Sequence, residues 1–328
     1  MKIALVYSGM IPAVKYGGTE RVIWDLAAEL HRRGHEITFV VSEHSRIPFG
    51  RKIPFESVQH ASELPADLDV IHFHSGIAGM GAQETPYIFT MHGNAGPGVV
   101  LPPNTVFVSQ NHAERFGSDS FVHNGLNWDA YPQPDLNQKR NYFHFLGKGA
   151  WRVKNLRGAI QVVKKTPKEK LYVMGGVRFN VNMGLRFTFT PRAKFFGMVD
   201  NEEKSRMMNG SKGLVFPVLW HEPFGLAITE SLYFGCPVFG TPYGSLPELV
   251  TSGTGFLSDS RKELTLALGN AGDFSKKHCH EYAGDLFNAK LMADRYLLKY
   301  EKVMRGEVLN AEAPQLRQET PKFLNWIQ

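Results

Sequence analysis

The stretch GLVFPVLWHEPFGLAITESLYFGCPVFGT, residues 213–241, decides the fold. It begins with one β-rich run, GLVFPV, and ends with another, CPVFGT. Between them a proline-containing loop leads into LAITESLYFG, which predicts a helix that ends at Gly235. A strand, a helix and a second strand in this order are typical of a parallel sheet covered by helices.

Two carboxylates, Glu222 and Glu230, lie inside this stretch. Pro223 disfavours a helical conformation at the residue before it, so Glu222 is predicted in the loop and Glu230 in the helix. They are therefore not an acid/base pair on one helical face. The segment instead offers backbone N–H groups at residues 224–227 and the positive end of a helix dipole, which together favour phosphate. A solvated helix start with two surface glutamates is the alternative.

Short β-rich runs alternate with amphipathic helical stretches along the rest of the chain, and they form two sets. The first set is IALV, EITFVV, DVIHFH, YIFTMH and TVFVSQ; the second is YFHFLG, GAIQVVKK, KLYVMGG, AKFFGMV, GLVFPV and CPVFGT. We therefore predict an α/β protein of two doubly wound, Rossmann-like domains that face each other across a cleft. In RFTFT, residues 186–190, the alternation favours a strand where this pattern would place a helix.

The predicted domain boundaries follow the composition. Residues 1–130 form the first domain, and the proline-rich, polar residues 131–140 form a linker. Residues 141–288 form the second domain. Residues 289–328 hold a final amphipathic helix and a polar tail. Two domains are also the default expectation for a chain of 328 residues.

The composition indicates an ordinary globular protein, with 43% hydrophobic residues. The two cysteines cannot form a disulfide scaffold, and reduced thiols predict a cytoplasmic location. The opening MKIALVYSGMIP has an apolar run that is too short for a membrane span and lacks a small-residue cleavage pattern. We interpret it as a first buried strand.

The positive charge is concentrated in the second half of the chain. Residues 1–140 carry 11 Lys/Arg against 14 Asp/Glu, and the remainder carries 26 against 17. The second half therefore prefers an anion, such as a nucleic acid, a phospholipid or a phosphorylated small molecule. No RNA- or DNA-binding module appears in the sequence, so we do not expect nucleic acid. The slightly negative first half predicts peripheral membrane contact at most.

Two further segments supply candidate ligands for phosphate. In LGKGAWRVKN, Lys148 and Lys154 flank a loop at the carboxyl end of a strand, where ligands gather in open α/β sheets. A dinucleotide fingerprint would need a glycine at Arg152, so we do not assign one. In YGGTERV, Gly17 and Gly18 precede the first long helix and would let the backbone approach a ligand closely. Solvated lysines and a tight turn are the alternatives.

A metal site is not expected. His72 and His74 lie on one face of a predicted strand and His92 ends another, but no Cys, Asp or Glu with ligand spacing accompanies them. We interpret His72 and His74 as core histidines and His92 as the better functional candidate. The DLD sequence at Asp67–Asp69 matches the Asp-x-Asp of metal-dependent sugar transferases, but it leads directly into a buried strand. We therefore reject it.

Taken together, these segments resemble the retaining glycosyltransferases of family 4, which have the GT-B fold. The resemblance covers most of the chain, from GGTERVIWDLAAELHRRGHEITFV through DVIHFH, TMHG, HNGLN and FHFLGKGAWRVKNLRGAI. Its most specific part is FFGMV through TGFL, which contains the family's Glu-x7-Glu motif around Pro-Phe-Gly-Leu. The resemblance also implies that residues 289–328 cross back onto the first domain.

The resemblance implies a catalytic group of four residues. Glu222 would contact hydroxyls of the donor sugar, and His92 would lie near the reacting sugar. Lys148 and Lys154 would face the diphosphate. Lys148 stands where the family usually has an arginine, so a point charge replaces a bidentate fork.

The resemblance also implies a set of donor-binding positions. Glu230 would bond to the nucleotide ribose, and the region around Met198 would pack near the base. The full predicted set is Gly17, Gly18, Met198, Phe224, Gly225, Leu226, Ala227 and Glu230.

The predicted function is transfer of a sugar from a nucleoside-diphosphate sugar to an unidentified acceptor, with retained anomeric configuration and without a metal ion or cofactor. The acceptor would be a saccharide, a lipid-linked glycan or a small molecule, in glycan or glycoconjugate biosynthesis. Cations and a helix amino end would stabilise charge on the leaving diphosphate. A nucleotide-sugar isomerase and a catalytically silent nucleotide-sugar-binding subunit are the alternatives.

Overall fold

The computed structural model describes residues 1–12, 17–180 and 186–328. In these ranges the chain forms two compact units, and neither is a single continuous stretch. The first unit comprises Met1–Trp128 and Phe287–Glu319, and the second comprises Asp129–Leu286 and Thr320–Gln328.

This division differs from the predicted boundaries at the tail. Residues 320–328 pack with the second unit, whereas the resemblance implies that all of residues 289–328 cross back onto the first domain. The physical reason is that the tail is hydrogen-bonded into the second unit. The N–H of Leu324 donates to the carbonyl of Leu219 at 2.8 Å, and the N–H of Ile327 donates to that of Asp259 at 2.8 Å.

The first unit is built on a parallel sheet of six strands. In the described residues its strands are β1 (Lys2–Val6), β2 (Glu36–Val41), β3 (Arg51–Pro54), β4 (Val70–Phe73), β5 (Tyr87–Met91) and β6 (Thr105–Phe107). They lie in the order β3-β2-β1-β4-β5-β6. Its helices are α1 (Gly18–Arg32), α2 (Gln110–Arg115) and α9 (Ala289–Met304).

The central strands of this sheet are buried because helices cover them. Ile3, Leu5 and Val6 of β1 are fully buried. Helix α1 begins directly after Gly17 and packs its apolar stripe, which includes Val22 and Leu26, into the core. Helix α9 packs against α1 and β5, so this late segment of the chain completes the first unit.

The second unit repeats the same plan. Its main strands are β7 (Tyr142–Leu146), β8 (Leu171–Met174), β11 (Ala193–Phe195), β12 (Ser211–Phe216), β13 (Val238–Gly240) and β14 (Gly255–Leu257), in the parallel order β11-β8-β7-β12-β13-β14. Its helices are α3 (Leu156–Lys165), α4 (Asn201–Asn209), α5 (Leu226–Tyr233), α6 (Leu246–Leu249), α7 (Arg261–Gly269) and α8 (Lys276–Leu286). The core includes the fully buried Phe143, Phe145 and Phe239.

Two local predictions in the second unit have different outcomes. The run GAIQVVKK, grouped with the strands, is wrong as a strand because it lies in helix α3. Its buried Ala159, Ile160 and Val163 have helical spacing, and Asn155 caps the helix. The strand predicted over residues 186–190 is confirmed for its first two residues. They form β10 (Arg186–Phe187), which pairs antiparallel with β9 (Phe179–Asn180).

The two parallel sheets confirm the predicted α/β class with two doubly wound, Rossmann-like domains. Both cysteines, Cys236 and Cys279, are buried free thiols. Within the described ranges no helix has both the length and the apolar character that crossing a membrane requires.

Candidate functional site

The loop before α5 places the two glutamates as predicted, Glu222 outside the helix and Glu230 within it. Gly225 is the N-cap residue and has a left-handed backbone with φ 90°. Since glycine has no side chain to cap the helix, no N-cap side chain covers the positive end of the α5 dipole. Phe224 is buried, and the hydroxyl of Ser245 donates to its carbonyl at 2.5 Å.

Gly244 fixes the backbone of Glu222. The two residues pair as a short parallel bridge, and the next amide, of Ser245, donates to the Glu222 carbonyl at 2.9 Å. Gly244 has φ 66°, and a Cβ atom there would lie 2.2 Å from the Glu222 nitrogen. Only glycine allows this approach, so Gly244 sets where the carboxylate of Glu222 begins.

Glu222 and Lys154 form a buried ion pair. The Lys154 Nζ lies 2.6 Å from the Glu222 Oε2, and the side chains are 11% and 7% exposed. The indole Nε1 of Trp220 donates to the same Oε2 at 2.7 Å. The Lys154 ammonium also lies 5.0 Å from the centre of the Trp220 ring and 5.2 Å from that of Phe216. Two residues predicted for diphosphate and sugar are thus brought together.

The turn that carries Lys154 is tied to its surroundings by backbone hydrogen bonds. Lys154 ends a short 3-10 turn, and the following Asn155 has a left-handed backbone with φ 50° and caps α3. The carbonyl of Val153 accepts from the N–H of Leu219 at 2.7 Å. Because the carbonyl of Leu219 accepts from Leu324, the tail supports this turn indirectly.

Glu230 has two buried partners on one oxygen. The phenol of Tyr131 donates to Oε1 at 2.7 Å, and the ammonium of Lys204 is paired with the same Oε1. Lys204 is 5% exposed and Glu230 4% exposed. The ion pair and the hydrogen bond therefore orient the Glu230 carboxylate in the protein without a ligand.

Sequence reasoning missed Lys204, Tyr131 and Trp220. A signal for Lys204 exists, because it lies on the inward face of α4 with Met207 and Met208 at spacings of three and four residues. A lysine among buried apolar positions needs a counter-charge. Tyr131 fell in the predicted linker, and no sequence pattern relates it to Glu230.

The remaining predicted residues of the second unit follow strand ends. Lys148 comes after β7 and Met198 after β11, while Glu222 lies in the loop after β12. The carboxyl ends of parallel strands meet at one edge of a sheet. Lys148 is exposed, with its ammonium 5.1 Å from the centre of the Trp151 ring. Met198 is 45% exposed.

His92 belongs to a chain of histidines in the first unit. Its Nε2 is hydrogen-bonded to the Nδ1 of His74 at 2.9 Å, and burial lowers the pKa of His92 to about 4. His72 is hydrogen-bonded to Tyr300 at 2.8 Å and to Thr90 at 2.7 Å, as expected of a core histidine. His92 is therefore a neutral imidazole at pH 7.

The two glycines predicted to bind the donor and the rejected Asp-x-Asp lie elsewhere in the first unit. Gly17 precedes α1 and Gly18 is its first residue; residues 13–16 of the same loop lie outside the described part of the chain. Asp67 and Asp69 lie at the amino end of β4 and both bond to Lys2, one to its ammonium and one to its backbone N–H. These carboxylates thus have a structural role.

Two family models match the chain. Residues 16–124 match the model described as Glycosyltransferase Family 4, and residues 128–269 match the model described as Glycosyl transferases group 1. An uncharacterised 41.2 kDa protein in the cps region of Klebsiella pneumoniae is 31% identical over 114 residues. That match covers 33% of this chain and 32% of the relative, so the chain spans about a third of its length.

Solved structures share the fold at low sequence identity. A glycosyltransferase involved in avilamycin A biosynthesis superposes with a TM-score of 0.73 at 21% identity, covering 93% of this chain and 98% of that one. HepE of Anabaena, in complex with UDP and glucose, superposes with a TM-score of 0.66 at 14% identity, covering 92% and 100%. With two family models matching in order and this fold, the chain belongs to the group 1 glycosyltransferases, of the family 4 type with the GT-B fold.

Proposed function

We propose that the second unit binds a nucleoside-diphosphate sugar and that the protein transfers the sugar to an acceptor with retained anomeric configuration. The observation that carries this proposal is the buried Lys154–Glu222 pair beside the amino end of α5. A cation, a hydrogen-bonding carboxylate and the amino end of a helix suit a sugar joined to phosphate.

The proposed chemistry rests on the charge of the leaving diphosphate. Breaking the bond between sugar and phosphate builds negative charge on the phosphate oxygens. Lys154, Lys148 and the amides of residues 224–227 would stabilise that charge as it develops. Glu222 neutralises Lys154 in the structure, so the phosphate would take over this cation while Glu222 turns to the sugar hydroxyls. On this reasoning the reaction needs no metal ion and no cofactor.

Glu230 is proposed to bind the nucleotide ribose. Lys204 and Tyr131 both bond to its Oε1, so the carboxylate is already oriented before the ribose binds. A carboxylate oriented in advance loses little freedom when a ligand binds, which strengthens binding. Met198 is proposed to pack near the base.

Retention is proposed to follow a front-face course. A leaving-phosphate oxygen would accept the proton of the acceptor, so no enzymic nucleophile is required. His92 would contact the reacting sugar as a neutral imidazole, because its pKa is held at about 4. Gly17 and Gly18 would border the phosphates.

The donor base and the acceptor are open parts of this proposal. The HepE neighbour was solved with UDP-glucose, so UDP-glucose is the first donor to test. A saccharide, a lipid-linked glycan or a small molecule is the proposed acceptor class. The free thiols of Cys236 and Cys279 support the proposed cytoplasmic location.

The test has two steps. Calorimetry with UDP-, GDP-, ADP- and dTDP-sugars identifies the donor, and transfer to candidate acceptors is then followed by NMR of the anomeric proton, with and without a chelator. The proposal expects a product with the donor's anomeric configuration, formed equally well with chelator. An inverted product, or transfer that stops with chelator, contradicts it. Altered sugar stereochemistry without acceptor indicates an isomerase, and binding without turnover indicates a silent subunit.

A further inference from the structure

One segment of the second unit is almost uniformly cationic. Residues 148–196 contain 12 Lys/Arg and a single carboxylate, Glu169. That carboxylate is itself paired with Lys212, at 2.6 Å. The net positive charge of the second half of the chain thus comes from this one segment, which includes α3 and the paired strands β9 and β10.

A groove runs between the outer face of α3 and residues 187–190. Its volume is about 830 Å³. Arg157 and Lys164 of α3 form one wall, and Phe187 and Phe189 form the other. Arg152 lies at one end, beside the Phe323 ring. No carboxylate lines the groove in the described part of the chain, and none there pairs with these three cations.

Three phenylalanines are exposed beside these cations. Phe179 is 55% exposed, Phe187 49% and Phe189 84%. Their rings contact one another, with centres 5.6 Å apart for Phe179 and Phe187 and 4.3 Å apart for Phe187 and Phe189. An exposed cluster of large apolar rings is rare on a soluble surface and marks a binding surface.

The backbone holds these rings outward. The guanidinium of Arg178 donates to the carbonyl of Thr188 at 2.6 Å and to that of Ala193 at 2.7 Å. Thr188, which lies between the two exposed phenylalanines in the sequence, is itself buried. These hydrogen bonds therefore fix the backbone next to Phe187 and Phe189.

We propose that this surface docks on an anionic phospholipid bilayer. The phenylalanine rings would enter the interface between headgroups and acyl chains, while Arg152, Arg157 and Lys164 meet the lipid phosphates. Phenylalanine carries no hydrogen-bonding group to read a base, and Leu156 adds an aliphatic floor to the groove. Both features suit acyl chains better than nucleotide bases. The inference goes beyond the proposed reaction and does not depend on it.

Vesicle co-sedimentation without any nucleotide tests the proposal. The intact protein should bind vesicles of equal parts phosphatidylcholine and phosphatidylglycerol, ignore vesicles of phosphatidylcholine alone, and be released by high salt. Phe187→Ser with Phe189→Ser should weaken binding by on the order of tenfold. Arg157→Gln with Lys164→Gln should weaken it by about fivefold for each cation removed.

A matched control uses another exposed surface of the same unit. Leu266 is 62% exposed and the Lys277 side chain is 76% exposed, so Leu266→Ser with Lys277→Gln should bind as the wild type does. Thermal unfolding of each variant checks folding, and if the phenylalanine variant unfolds, the cation variant decides. Equal binding to neutral vesicles, full binding by the folded variants, or binding to single-stranded RNA without binding to vesicles would overturn the proposal.

Discussion

The carboxylate of Glu222 lies 2.6 Å from the ammonium of Lys154, although 68 positions separate the two residues in the sequence. Each charge is buried with the other as its counter-ion, so removing one leaves the other uncompensated. The pair therefore keeps a charged lysine out of water in the proposed donor site. Comparing a variant of one partner with a variant of both separates the effect of the pair on folding from its effect on activity.

Lys154→Met should reduce both activity and stability. Loss of the cation that faces the diphosphate should lower kcat/KM by about 100-fold. The unpaired Glu222 carboxylate should lower the free energy of unfolding by about 3 kcal/mol. Donor kinetics and urea unfolding measure the two effects. The double variant Lys154→Met with Glu222→Gln is the control, since it should recover most of the stability and none of the activity; recovered activity would remove Lys154 from the mechanism.

Lys204→Met should weaken nucleotide binding indirectly, because Lys204 is proposed to act through Glu230 and not by touching the nucleotide. Glu230 would lose the charge that fixes its carboxylate, so we expect about a tenfold loss of affinity in calorimetry. Glu230→Ala should lose at least as much. Lys212→Met is matched, because Lys212 pairs with Glu169 elsewhere in the unit and should leave the affinity unchanged. Wild-type affinity in the folded Lys204 and Glu230 variants would refute the ribose assignment.

Protonation of His92 should lower the free energy of unfolding in acid. Its pKa is about 4 in the folded protein and 6.5 in an ordinary histidine, so the unfolded state binds more protons between these values. The free energy of unfolding should therefore fall as the pH drops from 6.5 to 4, and His92→Asn should reduce that slope. Urea unfolding across this range compares the two proteins, and parallel curves would contradict the lowered pKa.

The same lowered pKa predicts the pH profile of activity. Above pH 5 the imidazole of His92 stays neutral, so wild type and His92→Asn should have profiles of the same shape between pH 5 and 8, at different heights. Initial rates at saturating acceptor test this. A limb near pH 6.5 in the wild type that the variant lacks would show that His92 titrates in this range.

Trp326→Ala should destabilise the second unit, although Trp326 is distant in sequence from the site residues. Trp326 packs against the core that includes Phe143 and Phe239, and its partial burial suggests a loss of about 2 kcal/mol. Thermal unfolding gives the loss. Asn325→Ala is the neighbouring control. Asn325 accepts a hydrogen bond from Tyr243 through its backbone carbonyl, which the substitution keeps. Equal unfolding temperatures for both variants would mean that the tail does not support the core.

The fold could be predicted from the sequence because the patterns that indicate it are local. Buried β-rich runs and Pro223 gave the strands and the start of α5 with no knowledge of distant contacts. The partners of Glu230 are different, since Tyr131 lies 99 positions away and its bond depends on tertiary structure alone. The net charge of the second half of the chain likewise did not reveal the cationic segment at residues 148–196. Acidic residues elsewhere in that half offset its positive charge in the sum.

The hydrogen bond from Leu324 to Leu219 sets an order of events during synthesis. Residues 1–128 leave the ribosome first and are followed by residues 129–286 of the second unit. Residues 287–319 of the first unit come next, and the residues that complete the second unit come last. The turn that carries Lys154 therefore gains its full support after translation of α9. A stand-alone second unit for structural work should for this reason carry residues 320–328, joined to Leu286 by a flexible linker.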